Sequence, residues 1–148
     1  MEACEEDWEK NGDHCYLWNN DAKNWTAAED FCQQAGGHLA SVPFDSTYVF
    51  ILEGMNRRGL DHLWLGGNDI EEENDWKWTD CTPWGDNFWY LGEPNNAGGA
   101  EDCLETRSMN WNDLSCGSEL GFLCRKKICS GRTYMNISKS DILWQEMR

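Results

Sequence analysis

Five residues with oxygen-bearing side chains are grouped in two short segments of this 148-residue chain. The first segment contains Glu93-Pro94-Asn95 and then Glu101, and the second contains Asn112 and Asp113. Carboxylate and carboxamide oxygens are the ligands that calcium prefers, and the ion takes about six to eight of them. The five residues predict a calcium site that keeps coordination positions open for a bound molecule.

Two cysteines lie directly beside these segments. Cys103 follows Glu101-Asp102, and Cys116 follows Asn112-Asp113 by three residues. A bond between them would tie the two segments together. The alternative is that Glu93-Pro94-Asn95 is an ordinary surface turn, because proline fixes φ and asparagine tolerates turn geometry. The other candidate ligands and the flanking cysteines favour the calcium site.

The composition restricts the classes of partner and activity. The formal net charge is −15 at pH 7. Nucleic acids and anionic membranes are bound through lysine and arginine, so neither is expected as a partner. No apolar segment approaches the roughly 18 residues of a membrane span, so we expect no membrane insertion. No Ser-His-Asp or Cys-His arrangement is indicated, which favours a binding protein over an enzyme.

Eight cysteines in a chain of this length are typical of a secreted, disulfide-stapled domain. Zinc is not indicated, because the sequence has no Cys-x2-Cys pair and its histidines, His14, His38 and His62, stand singly. The start of the chain, Met1 to Glu5, lacks the basic residues and apolar run of a secretory signal. We therefore interpret the chain as the mature form of an extracellular protein with an added initiator methionine.

Two helices are predicted in the first half of the chain. Thr26-Ala27-Ala28-Glu29 has the capping-box pattern and predicts a helix that runs to about Ala35 and ends at Gly36-Gly37. Either residue of Asp45-Ser46 can cap a second helix, for which Gly59 is the predicted stop.

Short strands and one long irregular segment complete the predicted elements. Cys4 to Tyr16 is predicted to form a hairpin with its turn at Asn11-Gly12. Strands are predicted at 63–65 and at 76–78, the second from its alternation of residue types. From Asp80 to Asn110 no regular pattern remains, which argues against a compact fold unless the segment is a functional loop. We predict a long loop that metal and disulfides keep in order.

Several motifs, in a fixed order, resemble those of the C-type lectin-like domain. Trp64-Leu65-Gly66-Gly67 resembles the family's core Trp-Ile-Gly-Leu signature, Trp76 to Asp80 resembles the strand before its long loop, and Phe122-Leu123-Cys124 resembles its closing strand. The resemblance implies a disulfide-stapled α+β fold in which two helices flank small antiparallel sheets, with a long calcium-organised loop. We expect residues 1–128 to form this domain and residues 129–148 to form a C-terminal tail.

The resemblance also implies a disulfide pairing. The implied bonds are Cys4–Cys15, Cys32–Cys124 and Cys103–Cys116. The bond from residue 32 to residue 124 would close a loop of about ninety residues, worth about 4–5 kcal/mol in the chain-entropy account. Cys81 and Cys129 have no place in the basic family pattern. A bond between them within one chain is not favoured, because Cys81 opens the long loop whereas Cys129 lies past the closing strand, which in this fold runs toward the termini. An intermolecular bridge is also open, so a disulfide-linked or non-covalent homo-oligomer is one expected form.

The family's sugar-binding members share a calcium ion between protein and carbohydrate. The resemblance implies that two adjacent sugar hydroxyls complete the ion's coordination and that Pro94 is cis, so that its two neighbours converge on the ion. Glu followed by Pro and Asn is the family's pattern for mannose-like sugars, including N-acetylglucosamine and fucose. The implied ligands of the ion and of the sugar are the same five residues, Glu93, Asn95, Glu101, Asn112 and Asp113.

An auxiliary calcium site is implied at four further residues, Asp69, Glu73, Asn96 and Asp102. The alternative is a solvated acidic loop, since Glu71, Glu72 and Glu73 form a charge run that needs no metal. Both interpretations use Glu73, and the sequence alone does not separate them.

Three functions fit these patterns. A calcium-dependent lectin for mannose-type glycans, in innate immune recognition of microbes, is favoured because the ligand set is complete. A calcium-dependent ice-binding protein is the second, because some fish antifreeze proteins resemble this fold, as do some secreted fish lectins. A calcium-independent, protein-binding domain of the same fold is the third, although such a domain has no need for all five ligands.

Modification sites and the tail complete the sequence predictions. Asn24-Trp25-Thr26 and Asn136-Ile137-Ser138 match the N-glycosylation pattern, although Thr26 serves equally well as a helix cap alone. The tail can place Ile142, Leu143, Trp144 and Met147 on one helical face, but an unanchored tail is expected to be mobile.

Overall fold

The computed structural model describes residues 3–128, which contain two α-helices and a sheet of short strands. The predicted tail, with Cys129, Asn136 and the apolar residues between 142 and 147, lies outside the described residues. The elements are β1 Glu9–Asn11, β2 His14–Lys23, α1 Trp25–Gln34, β3 His38–Leu39, α2 Asp45–Arg58, β4 His62–Asn68, β5 Lys77–Trp78, a 3-10 turn Ala97–Gly99, β6 Cys103–Arg107, β7 Asn110–Leu114 and β8 Leu120–Lys127.

The strands form one connected sheet in the order β1-β2-β8-β4-β6-β7. β3 pairs with β8, and β5 pairs with β4. The pairing of β4 with β8 is parallel and the other pairings are antiparallel. The predicted α+β class is confirmed, and the small sheets expected from the sequence are joined into one. Within the described residues, neither helix is long and apolar enough to cross a membrane.

The first helix does not use the predicted capping box. Asn24 is the N-cap, and its Oδ1 accepts from the Ala27 amide at 2.8 Å, so the assignment of Thr26 as the cap was wrong. Asparagine is at least as good an N-cap as threonine, which explains the choice. Glu29 does not reach back to the cap. Its carboxylate is buried and accepts from the Leu39 amide at 2.9 Å, which joins the helix to β3.

The second helix begins at the predicted place with a different cap. Phe44 is the N-cap residue and makes no side-chain capping bond, so neither Asp45 nor Ser46 is the cap. Asp45 lies in the first turn, where a carboxylate is favoured by the helix dipole. Gly59 ends the helix in the left-handed region with φ 67°, as the sequence predicted.

Three disulfides join the elements, and they are the same three pairs that the resemblance implied. Cys32–Cys124 connects α1 to β8, and Cys103–Cys116 connects β6 to the residues after β7. Cys4–Cys15 fastens the N-terminal segment to β2. Cys81 is exposed and has no disulfide partner among residues 3–128; Cys129 lies outside that range.

The long loop is shorter than predicted. β6 occupies residues 103–107 and pairs with both β4 and β7, so the prediction of irregular chain as far as Asn110 was wrong. A strand that is covered on both faces does not alternate between apolar and polar residues. Four of the five β6 residues are buried, including Glu105 and Thr106. That is why the periodicity gave no signal.

Aromatic packing holds the first half of this loop against the sheet. The Trp84 ring stacks on Trp78 with centroids 4.4 Å apart, and Trp84 and Trp89 each lie 5.6 Å from the fully buried Trp111 of β7. Trp111 also donates its amide to the Phe88 carbonyl at 2.7 Å. The loop therefore owes part of its order to side-chain packing that needs no metal.

Candidate calcium and carbohydrate site

The five predicted ligands come from two parts of the fold that meet beside the sheet. Glu93, Asn95 and Glu101 belong to the second half of the long loop, and the Glu93-Pro94 peptide bond is cis. Asn112 and Asp113 belong to β7, where they pair with Glu105 and Leu104 of β6. Trp111 of β7 is fully buried, and its neighbour Asp113 contacts the loop directly.

Asp113 joins the loop to β7. Its side chain is buried, and its two oxygens accept from successive loop amides, Asn95 at 3.2 Å and Asn96 at 2.7 Å. A buried carboxylate needs such donors to offset its lost hydration. The loop is therefore pinned to β7 at the residues that follow Pro94.

Glu93 lies in a neighbourhood of like charge. Its Oε1 accepts from the Asn95 amide at 3.1 Å. Partial burial, together with the carboxylates of Asp113 and Glu101, raises the pKa of Glu93 above its ordinary value. A cation placed among these groups would relieve the repulsion, which is the electrostatic requirement of a calcium site.

The remaining loop ligands share one amide donor. The Ala97 amide lies 3.0 Å from Glu101 Oε1 and 3.0 Å from Asn95 Oδ1. Both oxygens are thus drawn to the same point of the loop. The structure brings four of the five predicted residues, Glu93, Asn95, Glu101 and Asp113, into one shell of hydrogen-bonded contacts.

The side chain of the fifth residue, Asn112, is held by a hydrogen bond to a residue that the sequence analysis did not identify. Glu105 is 0% exposed, and its Oε2 accepts from Asn112 Nδ2 at 2.8 Å. A charged residue inside a strand between buried neighbours is the one signal that could have identified it.

The predicted auxiliary site forms a tight carboxylate cluster. Asp69, Glu73 and Asp102 each offer an oxygen within 4.8 Å of the others, and no other group of three such side chains among the described residues is this close. Asp69 Oδ1 is buried without a hydrogen-bond partner, whereas its Oδ2 accepts from the Asn74 amide at 2.8 Å. A buried oxygen of this kind is a position that a bound cation would satisfy.

Charge crowding is strongest at this cluster. Desolvation and the carboxylates of Asp69 and Asp102 raise the pKa of Glu73 to about 7. The pKa of Asp69 is raised as well, first by burial and then by Asp102. Glu71 contacts Lys77 at 3.1 Å, and Glu72 is exposed. Of the three glutamates in this acidic run, only Glu73 therefore belongs to the carboxylate cluster.

Asn96, the fourth residue predicted for the auxiliary site, makes its hydrogen bonds with two residues of the first site, Asp113 and Glu101. Its Oδ1 accepts from the Glu101 amide at 2.9 Å, and its own amide donates to Asp113. Its backbone is left-handed, with φ 47°, a conformation that asparagine tolerates better than most residues. In this arrangement the carboxamide oxygen stabilises the loop.

These residues fit calcium by the chemistry of their donors. The first group offers carboxylate and carboxamide oxygens and the auxiliary cluster offers carboxylate oxygens, and both are hard donors of the kind that calcium prefers. The unpartnered oxygen of Asp69 and the raised pKa of Glu93 are the features that a cation would relieve. The described residues contain no comparable cluster of His and Cys ligands.

A groove of about 440 Å³ begins at the candidate site. Two of the predicted ligands, Glu93 and Asn112, line it together with Tyr90, Arg107 and Ser108. We call it the Tyr90 groove. The Tyr90 side chain is largely exposed, so its ring is free to contact a bound molecule. The sequence contained no pattern that joined these residues.

Among the other predicted features, Asn24 is exposed while its side-chain oxygen caps α1. The basic side chain of Arg125 is buried and donates to Ser41 Oγ at 2.7 Å. Ser41 Oγ in turn donates to Asp80 Oδ2 at 2.6 Å, which fixes the start of the long loop.

Comparison with known proteins gives a consistent family assignment. Residues 21–126 match the family model described as Lectin C-type domain. The chain is 34% identical over 135 residues to CD209 antigen-like protein D of Mus musculus, covering 89% of this chain and 56% of the relative. It is 32% identical over 134 residues to the galactose-specific lectin nattectin of Thalassophryne nattereri, covering 85% and 82%. Five relatives, including CD209 antigen-like protein D, are longer than this chain, and the match spans 24% to 63% of their lengths.

Solved structures agree with these sequence relatives. The C-type carbohydrate-recognition domain of cow CD23, determined in the presence of a GlcNAc2Man3 oligosaccharide, superimposes with a TM-score of 0.81 at 32% identity, over 88% of this chain and 100% of the other. A calcium-independent type II antifreeze protein superimposes with a TM-score of 0.79 at 26% identity, over 87% and 98%. Lectins are binding proteins, so the expectation that the chain is not an enzyme is confirmed. With its fold, its disulfides and residues 21–126 all in agreement, the chain belongs to the C-type lectin domain family.

Proposed function

We propose that this protein is a calcium-dependent lectin that binds mannose-like sugars on extracellular glycans. The observation that carries the proposal is the shell around Asp113, in which a buried carboxylate holds the loop of Glu93 and Asn95 against β7. Disulfides are typical of extracellular proteins, which favours a secreted protein. Innate immune recognition of microbes is the role that fits such a lectin.

The residues of the shell around Asp113 would have different roles in binding the sugar. Two adjacent hydroxyls of the sugar would coordinate the bound calcium. The Glu93 carboxylate would accept a hydrogen bond from one hydroxyl, and the Asn95 carboxamide would donate to a hydroxyl oxygen. Charge-assisted contacts of this kind are short and directional, so they select the arrangement of the hydroxyls.

The Tyr90 groove would receive the part of a glycan beyond its terminal sugar. Glu93 and Asn112 line it, so a saccharide held at the calcium would lie next to it. Tyr90 offers an exposed ring, and Arg107 offers guanidinium donors to hydroxyl oxygens.

Retention on immobilised mannan tests the proposal. We expect retention in calcium and release by a chelator, with free mannose as a competitor that also releases the protein. A galactose matrix is the matched control and should retain less protein. Equal retention on mannan with and without the chelator would refute the calcium-dependent lectin and favour a calcium-independent binding domain.

The order of Glu93 and Asn95 should decide which sugar is preferred. The double substitution Glu93→Gln and Asn95→Asp exchanges hydrogen-bond donor and acceptor positions around the ion, so preference should move from mannose toward galactose. The same two matrices measure the change, and the single variants serve as controls. An unchanged ratio of mannose to galactose retention in the double variant would contradict the assigned roles.

Ice binding is the second candidate, because a type II antifreeze protein has a closely similar fold. Inhibition of ice recrystallisation at concentrations that saturate mannan would support it. We expect no such inhibition, since Glu93, Asn95 and Asp113 provide a more specific arrangement for sugar hydroxyls.

A further inference from the structure

We infer that Glu105 is a positioning residue for the candidate calcium site, because it fixes which end of the Asn112 carboxamide faces the ion. The inference rests on the proposed calcium-dependent function and adds a residue to it that is not among the five predicted ligands. Glu105 would touch neither the ion nor the sugar. It would act through Asn112.

The first observation is the burial of a charged group. Glu105 lies in β6 directly opposite Asn112 of β7, and its side chain is 0% exposed. An ionised carboxylate is costly to bury unless hydrogen bonds or counter-charges compensate it. Retaining such a group in the sheet calls for a reason other than packing, which an apolar residue would serve better.

The second observation is that the two carboxylate oxygens of Glu105 have different hydrogen-bond partners. Oε2 accepts from Asn112 Nδ2 at 2.8 Å, which is a short, well-formed hydrogen bond. Oε1 lies 3.3 Å from His62 Nδ1, and the Arg107 guanidinium is 3.9 Å from Oε2. The side chains of His62 and Arg107 are 47% and 67% exposed, so these two partners of Glu105 lie toward solvent. Asn112 is the neutral partner on the side of the candidate site.

The chemistry of the pair then determines the orientation of the amide. An ionised carboxylate only accepts hydrogen bonds, so the NH2 end of Asn112 must face Glu105. The carboxamide oxygen is left free on the other side, and oxygen is the only end of the group that calcium takes as a ligand. Glutamine at position 105 could donate to that oxygen, which would allow the amide to turn its nitrogen toward the ion.

The decisive variant is therefore Glu105→Gln, which preserves shape and removes the acceptor-only property. Calcium affinity should fall by roughly 10- to 100-fold, the usual effect of removing a group that orients a metal ligand. Isothermal titration of the calcium-free, disulfide-intact protein with calcium chloride measures it. All variants carry Glu73→Ala, so that the auxiliary cluster does not contribute a second binding event. Glu119→Gln is the matched control, because it makes the same charge change at an exposed residue.

A second measurement needs no calcium and separates positioning from a general loss of structure. In the calcium-free protein, the side-chain amide of Asn112 should give a slowly exchanging, shifted proton signal in the NMR spectrum. Glu105→Gln should move that signal. His62→Ala should leave it in place, because the bond between Glu105 and Asn112 remains. Near-ultraviolet circular dichroism checks that Glu105→Gln folds. If it does not, the wild-type Asn112 signal and the signal of Glu105→Asp, which keeps the acceptor, decide whether Glu105 positions Asn112.

The outcomes distinguish the two proposals. Equal calcium affinity in Glu105→Gln and Glu119→Gln, or a wild-type Asn112 amide that exchanges freely, overturns the positioning role while leaving the lectin proposal intact. A wild-type protein that binds no calcium overturns the proposed function, and the inference with it. Reduced affinity together with a displaced Asn112 signal supports the inference.

Discussion

Crowded carboxylates give individual residues of both candidate sites an unusual affinity for protons. Burial and the carboxylates of Asp113 and Glu101 raise the pKa of Glu93. Desolvation and two neighbouring acids raise the pKa of Glu73 to about 7. Calcium requires the ionised forms, so protons and calcium compete for the same oxygens.

Sugar retention should therefore be lost on mild acidification, starting above the range near pH 4 in which ordinary carboxylates titrate. The midpoint should move to lower pH when the calcium concentration is raised, because the two cations compete. Retention on mannan against pH at a low and a high calcium concentration measures this. Glu73→Gln separates the auxiliary cluster from Glu93. A midpoint that does not change with the calcium concentration would mean that the acid sensitivity arises outside the candidate sites.

The calcium-free protein should respond to acid in the opposite direction. A carboxylate whose folded pKa is raised contributes stability below its unfolded pKa and loses that contribution as pH rises through the folded value. For Glu73 this loss takes place between its ordinary value of 4.5 and about pH 7. Thermal unfolding in chelator should therefore shift to higher temperature as the pH falls from 8 toward 6, and Glu73→Gln should flatten that response.

At the scale of elements, the long loop has two halves with different sources of order. Residues 84–90 are held by Trp78 and Trp111 and by backbone hydrogen bonds to β7. Residues 91–102 depend on contacts with carboxylates, chiefly those of Asp113 and Glu101. Loss of calcium from the proposed site would remove the counter-charge from the second half only.

Amide hydrogen exchange should therefore rise in residues 91–102 when a chelator is added. Residues 84–90, α1 and the β2–β8 pair should remain slow, because packing and the Cys32–Cys124 bond keep them in place. Mass-spectrometric exchange with and without calcium measures the difference. A uniform increase across residues 80–102 would show that calcium, and not tryptophan packing, orders the whole loop.

The elements also show what sequence patterns can and cannot predict. Gly59 predicted a helix end correctly, because a left-handed residue is a local requirement. The cap of α1 was misplaced because Asn24 and Thr26 are both good capping residues and tertiary context decides between them. β6 was missed because strands covered on both faces have no alternation, and Glu105 was missed with it. The three disulfide pairs followed from the family resemblance, since spacing alone does not determine connectivity.

At the scale of the whole molecule, the order of the strands places the two ends of the described chain far from the candidate site. β1 lies at one edge of the sheet and β7, with Asn112 and Asp113, lies at the other. The Ile128 amide donates to the Asp13 carbonyl at 2.9 Å, so residue 128 returns to the turn between β1 and β2. Cys4–Cys15 fixes the incoming chain at the same edge.

A tether joined at either of those ends would hold the domain by one edge and present the edge with the candidate site outward. Single shallow sites bind weakly, and linked copies gain avidity only when their geometry lets them engage together. The strand order permits that geometry without any rearrangement of the domain. For the same reason, immobilising the protein through its ends on a sensor surface should leave the candidate site open to glycans in solution.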